Sequence, residues 1–132
     1  MLRVGIDIAR VALVRDSIDA HGDRYLQRVF TERELAECGR PEPAPRRLAA
    51  LVAAKEATFK ALRVDDRPVA WTDVEVHDAF STRPRLSLEG AAANLARDAG
   101  VDGLALSLTR RKGTGVAAVV IAHILCCLPL ER

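Results

Sequence analysis

The sequence predicts an α+β fold in which a mostly antiparallel sheet packs against one long helix. Three observations carry this. Stretches that alternate apolar and polar residues lie at the start of the chain and throughout its second half. The segment around "AAKEATFKAL" (residues 53–62) has the 3.6-residue apolar period of a helix. The elements run strand, helices, hairpin, helix, hairpin, which favours helices on one side of the sheet. The 132 residues suit one domain over 1–132, with about 124–132 as a tail. Aromatic residues make up only 4% of the chain, so Leu, Val, Ala and Ile must build the core.

"RVGIDIARV" opens the chain as a strand. Val4, Ile6 and Ile8 share one face, while Gly5 and Asp7 fall on the other, so Asp7 is a carboxylate within an otherwise apolar strand. "VALVRDSIDAHG" reads as a helix stopped by Gly22, and a short helix follows around 25–29. In "TERE", Thr31 can cap a helix while Glu34 reaches back, the reciprocal pattern of a capping box. Three prolines and a glycine make 39–47 a loop before the long helix, at about 46–63. "WTDVEVHD" and "RPRLSLEG" alternate as strands around the turn "AFSTRP". "EGAAANLARDAG" is a helix ending at Gly100, and "GLALSLT" and "GVAAVVIAHI" are strands joined by "RRKGTG". The tail "CCLPLER" is expected to be loose.

Composition excludes several classes. Twenty basic against eighteen acidic residues leave a net charge of +2, and no stacking aromatics accompany the arginines, which argues against nucleic acid. The longest apolar stretch, "GVAAVVIAHILCCL", is broken by His123 and too short to span a bilayer as a helix; no signal peptide precedes it, so no membrane role is expected. Cys38, Cys126 and Cys127 lack zinc spacing and cannot all pair, which fits a reducing cytoplasm with cysteines used as small apolar residues.

The long helix poses the chemical question. On a helical wheel Leu48, Leu51, Val52, Phe59 and Leu62 form one arc, and Lys55 falls near its centre. Glu56 sits on the shoulder of that arc, with Lys60 one turn beyond. In one reading Lys55 snorkels to water, and Glu56 and Lys60 form a surface pair worth about 0.3–0.5 kcal/mol. In the other, an anionic ligand lies over this face with a cation between it and Glu56. Asp7 then supplies a second carboxylate, and one or two carboxylates plus phosphate oxygens and water suit Mg²⁺.

"GIDI" with "AAKEATFKAL" some fifty residues on resembles the holo-acyl-carrier-protein synthase family of phosphopantetheinyl transferases, and the likeness extends over nearly the whole chain. The resemblance implies the 4′-phosphopantetheinyl transferase-like fold. It also implies transfer of 4′-phosphopantetheine from coenzyme A to a serine of an apo acyl carrier protein, and assembly as a homotrimer with sites between subunits. Asp7 and Glu56 would hold Mg²⁺, with Lys60 as the third catalytic residue; Lys55, Arg46, Arg47, Arg63, Ser107 and Thr109 would contact coenzyme A; Arg10, Arg15, Arg24 and Arg28 would grip the carrier. The chain departs from the family where a Gly-Thr-Gly turn usually follows the helix: Arg63, Val64, Asp65 and Asp66 stand there. Leu51 replaces a usual arginine, Ser107-Leu108-Thr109 stands where Ser-His-Thr is common, and Arg10 and Leu13 replace a usual Glu and Arg. The alternative is a repurposed homologue that keeps the fold without coenzyme A transfer.

Overall fold

The computed structural model describes residues 1–39, 42–111 and 115–125. Residues 40, 41 and 112–114, the last within the predicted turn "RRKGTG", and the segment 126–132 with Cys126 and Cys127 lie outside the described residues. The chain forms β1 (Leu2–Arg10), α1 (Val11–His21), α2 (Asp23–Val29), α3 (Glu32–Glu37), α4 (Pro45–Leu62), β2 (Val74–His77), β3 (Arg85–Leu88), α5 (Gly90–Asp98), β4 (Val101–Arg111) and β5 (Gly115–Ile124). The α+β expectation holds, and all strand pairs are antiparallel.

Two details differ from the sequence reading. The strands form two sheets: a three-stranded one in the order β1-β5-β4 and a separate β2-β3 ribbon. Trp71–Asp73 is a 3-10 turn and not the start of a strand. The Asp73 carboxylate accepts a hydrogen bond from the backbone N–H of Ala70, and such local side-chain bonding competes with extended backbone. The predicted capping box at α3 is present, with Thr31 Oγ1 accepting from the Glu34 N–H and Glu34 accepting from the Thr31 N–H.

α4 is the centre of the molecule. Alanines 49, 50, 53, 54, 57 and 61 are buried along it, and their small side chains let the helix lie close to the sheet. The closest approach is at Gly5 on β1, where an added Cβ would stand 1.8 Å from the Ala57 carbonyl oxygen. Opposite Gly5, Val116, Ala118, Val120 and Ala122 of β5 line the same face and are buried.

None of the described residues covers the other face of the sheet. Val4, Ile6 and Ile8 on β1 are 55%, 57% and 70% exposed. In register with them run Ile6–Val119–Ser107 and Ile8–Ala117–Thr109 across the three strands. The alternation along β1 is therefore inverted from its usual meaning: the branched apolar residues face outward, and the Gly5/Asp7 face packs on the helix.

Gly5→Ala is expected to lower stability by about 1–3 kcal/mol or more, the range for forcing extra volume into a packed contact. Urea denaturation followed by far-UV circular dichroism measures it.

Candidate active site

Asp7 lies on the inner face of β1, two residues beyond the Gly5 contact, and Glu56 and Lys60 occupy one face of α4 at i and i+4. The close crossing brings the three together. Lys60 Nζ donates to Asp7 Oδ1 at 2.9 Å and to the Ile6 carbonyl at 3.0 Å. Glu56 and Asp7 line a single cleft of about 360 Å³ together with Arg10, Tyr25, Val52 and Trp71.

The electrostatics of the trio are asymmetric. Partial burial first, and the neighbouring Asp7 charge second, push the Glu56 carboxyl above its usual range, with Lys60 pulling the other way. The hydrogen bond and charge of Asp7 hold the Lys60 ammonium above its ordinary value, so it stays protonated. A desolvated carboxylate next to a second carboxylate is short of positive charge, since the ammonium is bonded to Asp7 and not to Glu56. The donor set of two carboxylates, open to a cleft with room for phosphate and water, fits a hard divalent cation.

Lys55 requires a correction. It neither snorkels nor faces the cleft: its side chain is 0% exposed, paired with Glu34 Oε1 at 2.8 Å. The ammonium also donates to the carbonyls of Trp71 (3.1 Å) and Val74 (2.7 Å). Its three donors are thereby met within the protein, and no N–H is left for a phosphate. Burial pulls its pKa down, and Glu34 partly restores it. The wheel put Lys55 in the apolar arc correctly, but the anion that meets it is Glu34, the last residue of "TERE".

The remaining predicted residues divide by location. Arg10 lines the Asp7–Glu56 cleft. Arg24 and Arg28 line an adjoining groove of about 440 Å³ that shares Tyr25, Val52 and Trp71 with it. Arg15 is exposed on α1 and lines neither, and Arg46 is exposed at the start of α4. Arg47 donates to the Glu37 carbonyl and stacks on the Phe80 ring at 5.0 Å, beside Arg110 at 4.7 Å. Arg63 does not reach the cleft of Asp7; it lines a separate one with Arg3 and Arg67. Ser107 and Thr109 are exposed on the outer sheet face, away from Asp7, because strand alternation sends them to the opposite side from Leu106 and Leu108. Sequence reasoning missed Trp71 as a wall of both clefts and Arg110 as a neighbour of Arg47. The capping-box position of Glu34 explained that residue fully at the sequence level and so hid its second role.

The profile of the 4′-phosphopantetheinyl transferase superfamily matches residues 3–112. The chain belongs to this superfamily, within the holo-acyl-carrier-protein synthase family. It is 38% identical over 121 residues to the holo-[acyl-carrier-protein] synthase of Rhodopirellula baltica, covering 92% of this chain and 97% of that protein. It is 39% identical to the corresponding synthase of an Anaeromyxobacter species, covering 92% and 95%. Among solved structures, the synthase of Neisseria meningitidis superposes with a TM-score of 0.79 at 26% identity, covering 92% of this chain and 97% of that one. A Chronobacterium ammoniagenes synthase–coenzyme A complex gives 0.78 at 26%, covering 95% and 98%.

The replaced turn of this synthase-family chain keeps glycine's backbone. Arg63 and Asp65 have φ of 56° and 49°, the left-handed conformation that glycine adopts without penalty. Two non-glycine residues therefore hold a glycine-like backbone where the family resemblance leads one to expect a Gly-Thr-Gly turn.

Two measurements follow. Arg63→Gly is expected to raise stability by roughly 1 kcal/mol by relieving the left-handed backbone, read from the thermal unfolding midpoint. For Glu56 the folded pKa lies above the unfolded one, so the ionised carboxylate disfavours the fold once the pH exceeds the ordinary carboxylate range. Without divalent cation, Glu56→Gln is expected to be more stable than the parent at pH 7. That advantage shrinks as the pH falls through the raised folded pKa and vanishes below the ordinary Glu value. Denaturation of both proteins across this range checks the sign.

Proposed function

We propose that the protein transfers 4′-phosphopantetheine from coenzyme A to a serine hydroxyl of an apo acyl carrier protein, with Mg²⁺ as cofactor. The observation that carries this reading is that Asp7 and Glu56, from two distant parts of the chain, line one cleft, with Lys60 bonded to Asp7. In the reaction the serine oxygen bonds to the phosphorus that carries pantetheine as its proton passes to water, and the bond from that phosphorus to the bridging oxygen breaks, releasing adenosine 3′,5′-bisphosphate. Charge gathers on the bridging oxygen, and stabilising it is most of the catalytic task.

Asp7 and Glu56 would hold Mg²⁺, which when bound neutralises the diphosphate. Lys60 exchanges its Asp7 contact for a phosphate oxygen as the substrate enters. As an ammonium, Lys60 neutralises the charge that gathers on the bridging oxygen or protonates it. The Asp65 carboxylate lies in the separate cleft with Arg63 and Arg67, outside the Asp7–Glu56 cleft, so it does not stand against the diphosphate there. Arg10, Arg24 and Arg28 supply positive charge beside the cleft for an acidic carrier, and Arg47 supplies charge for the phosphates of coenzyme A.

The synthase is further proposed to work as a homotrimer. The uncovered outer face with Val4, Ile6 and Ile8 supports it, since exposed branched apolar rows mark an interaction surface. Ser107 and Thr109 share those rows, so a role for them at coenzyme A requires a neighbouring copy. A reducing cytoplasm suits the buried free thiol of Cys38, whose pKa burial and Glu34 push up to about 12.

Incubation with Mg²⁺, coenzyme A and a panel of apo carrier proteins is expected to add one phosphopantetheine mass to a carrier; no modification of any carrier overturns the proposal. Glu56→Gln is expected to abolish turnover with its circular dichroism unchanged, and Lys60→Met to lower kcat about a hundredfold, the scale for losing one charge-stabilising donor. Ile6→Asp is expected to convert the assembly to monomers in light scattering and to remove activity with it.

A further inference from the structure

Lys55 and Glu34 are fully buried and line neither cleft, yet they are tied to the site through one residue. Lys55 Nζ donates to the Trp71 carbonyl. The Trp71 side chain forms the wall shared by the Asp7–Glu56 cleft and the Arg24–Arg28 groove. Its ring also packs edge-on against Phe59 at 5.3 Å, next to Lys60. Glu34 closes the network from the other side: Oε1 accepts from Lys55 and from the Thr31 N–H, and Oε2 accepts from the Val76 N–H at 2.8 Å. One ion pair thus links the start of α3, the middle of α4, the 3-10 turn at Trp71–Asp73 and the start of β2.

Stability alone is a poor reason for such a pair. Removing two charges from water is costly, and apolar replacements of similar volume commonly hold a fold as well or better. An apolar pair, however, offers no donor to the carbonyls of Trp71 and Val74, and those carbonyls fix where the turn stands against α4. Glu56 is the next residue after Lys55, so the same half-turn of helix that presents the carboxylate to the cleft also holds the opposite wall.

We propose that the Glu34–Lys55 pair is a positioning device for the transfer reaction, holding Trp71 at a fixed distance from Glu56 and Lys60 so that diphosphate and incoming serine meet in register. The inference rests on the transferase reading. It is tested apart from that reading because Trp71 is the only tryptophan of the chain, so its fluorescence reports the wall without reference to activity.

The experiment compares the parent, the Glu34→Leu/Lys55→Met double variant, Trp71→Ala, and the triple combination. The double variant is expected to fold with a lower unfolding midpoint, because the N–H groups of Thr31 and Val76 lose their acceptor. Its Trp71 emission shifts to the red and acrylamide quenching increases, while kcat falls tenfold or more. Adding Trp71→Ala to the double variant is expected to cost no further kcat, because both changes act through the same wall. Parent-like emission and kcat in the double variant overturn the proposal, as does a full multiplicative loss in the triple variant. Should the double variant fail to fold, Glu34→Gln keeps the side-chain shape and an acceptor for Val76, and is read by the same emission, quenching and kcat criteria. If the parent itself modifies no carrier, the transferase reading fails, whereas the emission data still report whether the pair fixes the wall.

Discussion

The site depends on how closely α4 lies on β1. Helix and strand normally keep a side chain's thickness between them, and here Gly5 on one side and Ala57 and Ala61 on the other remove it. That single contact sets the depth of the cleft. It lets a short aspartate on the strand reach a lysine on the helix at 2.9 Å, and holds a glutamate one turn earlier within range of the same aspartate's charge. Were the helix displaced by the width of a leucine, Asp7 and Glu56 would belong to separate surfaces.

Around this contact the protein uses two lysines of one helix in opposite ways. Lys60 sits at the rim with 54% of its side chain exposed; its partner is an acid that a substrate anion can displace. Lys55, five residues earlier, is closed off by a carboxylate and two carbonyls. Their pKa values move in opposite directions for this reason: the rim ammonium gains a partner at little desolvation cost, while the buried one loses more to desolvation than Glu34 returns. The first suits chemistry that exchanges partners, and the second suits fixed geometry.

The outer face of the sheet follows from the same constraint. Because the glycine and aspartate of β1 must face the helix, strand alternation sends Val4, Ile6 and Ile8 outward, where nothing within the described chain covers them. Strand register also places Ser107 and Thr109 on this outer surface instead of in the cleft.

The local signals in the sequence determined the helices, the capping box at Thr31 and Glu34, and the strands at both ends, because periodicity, caps and turn residues act over a few residues. Resemblance to a family paired Asp7 with Glu56, and one glycine made that pairing physically possible. Only the tertiary structure decided the rest. Lys55 finds Glu34 twenty-one positions away and Trp71 sixteen positions away, and no local pattern reports contacts of that range. The same holds for the splitting of the strands into two sheets, the removal of Arg63, Ser107 and Thr109 from the cleft, and the choice of which face of β1 turns inward. A helical wheel gives the direction of a side chain but not what lies there, and a strand pattern gives two faces without saying which is buried. Both are settled by what packs against the element, which is a property of the whole chain.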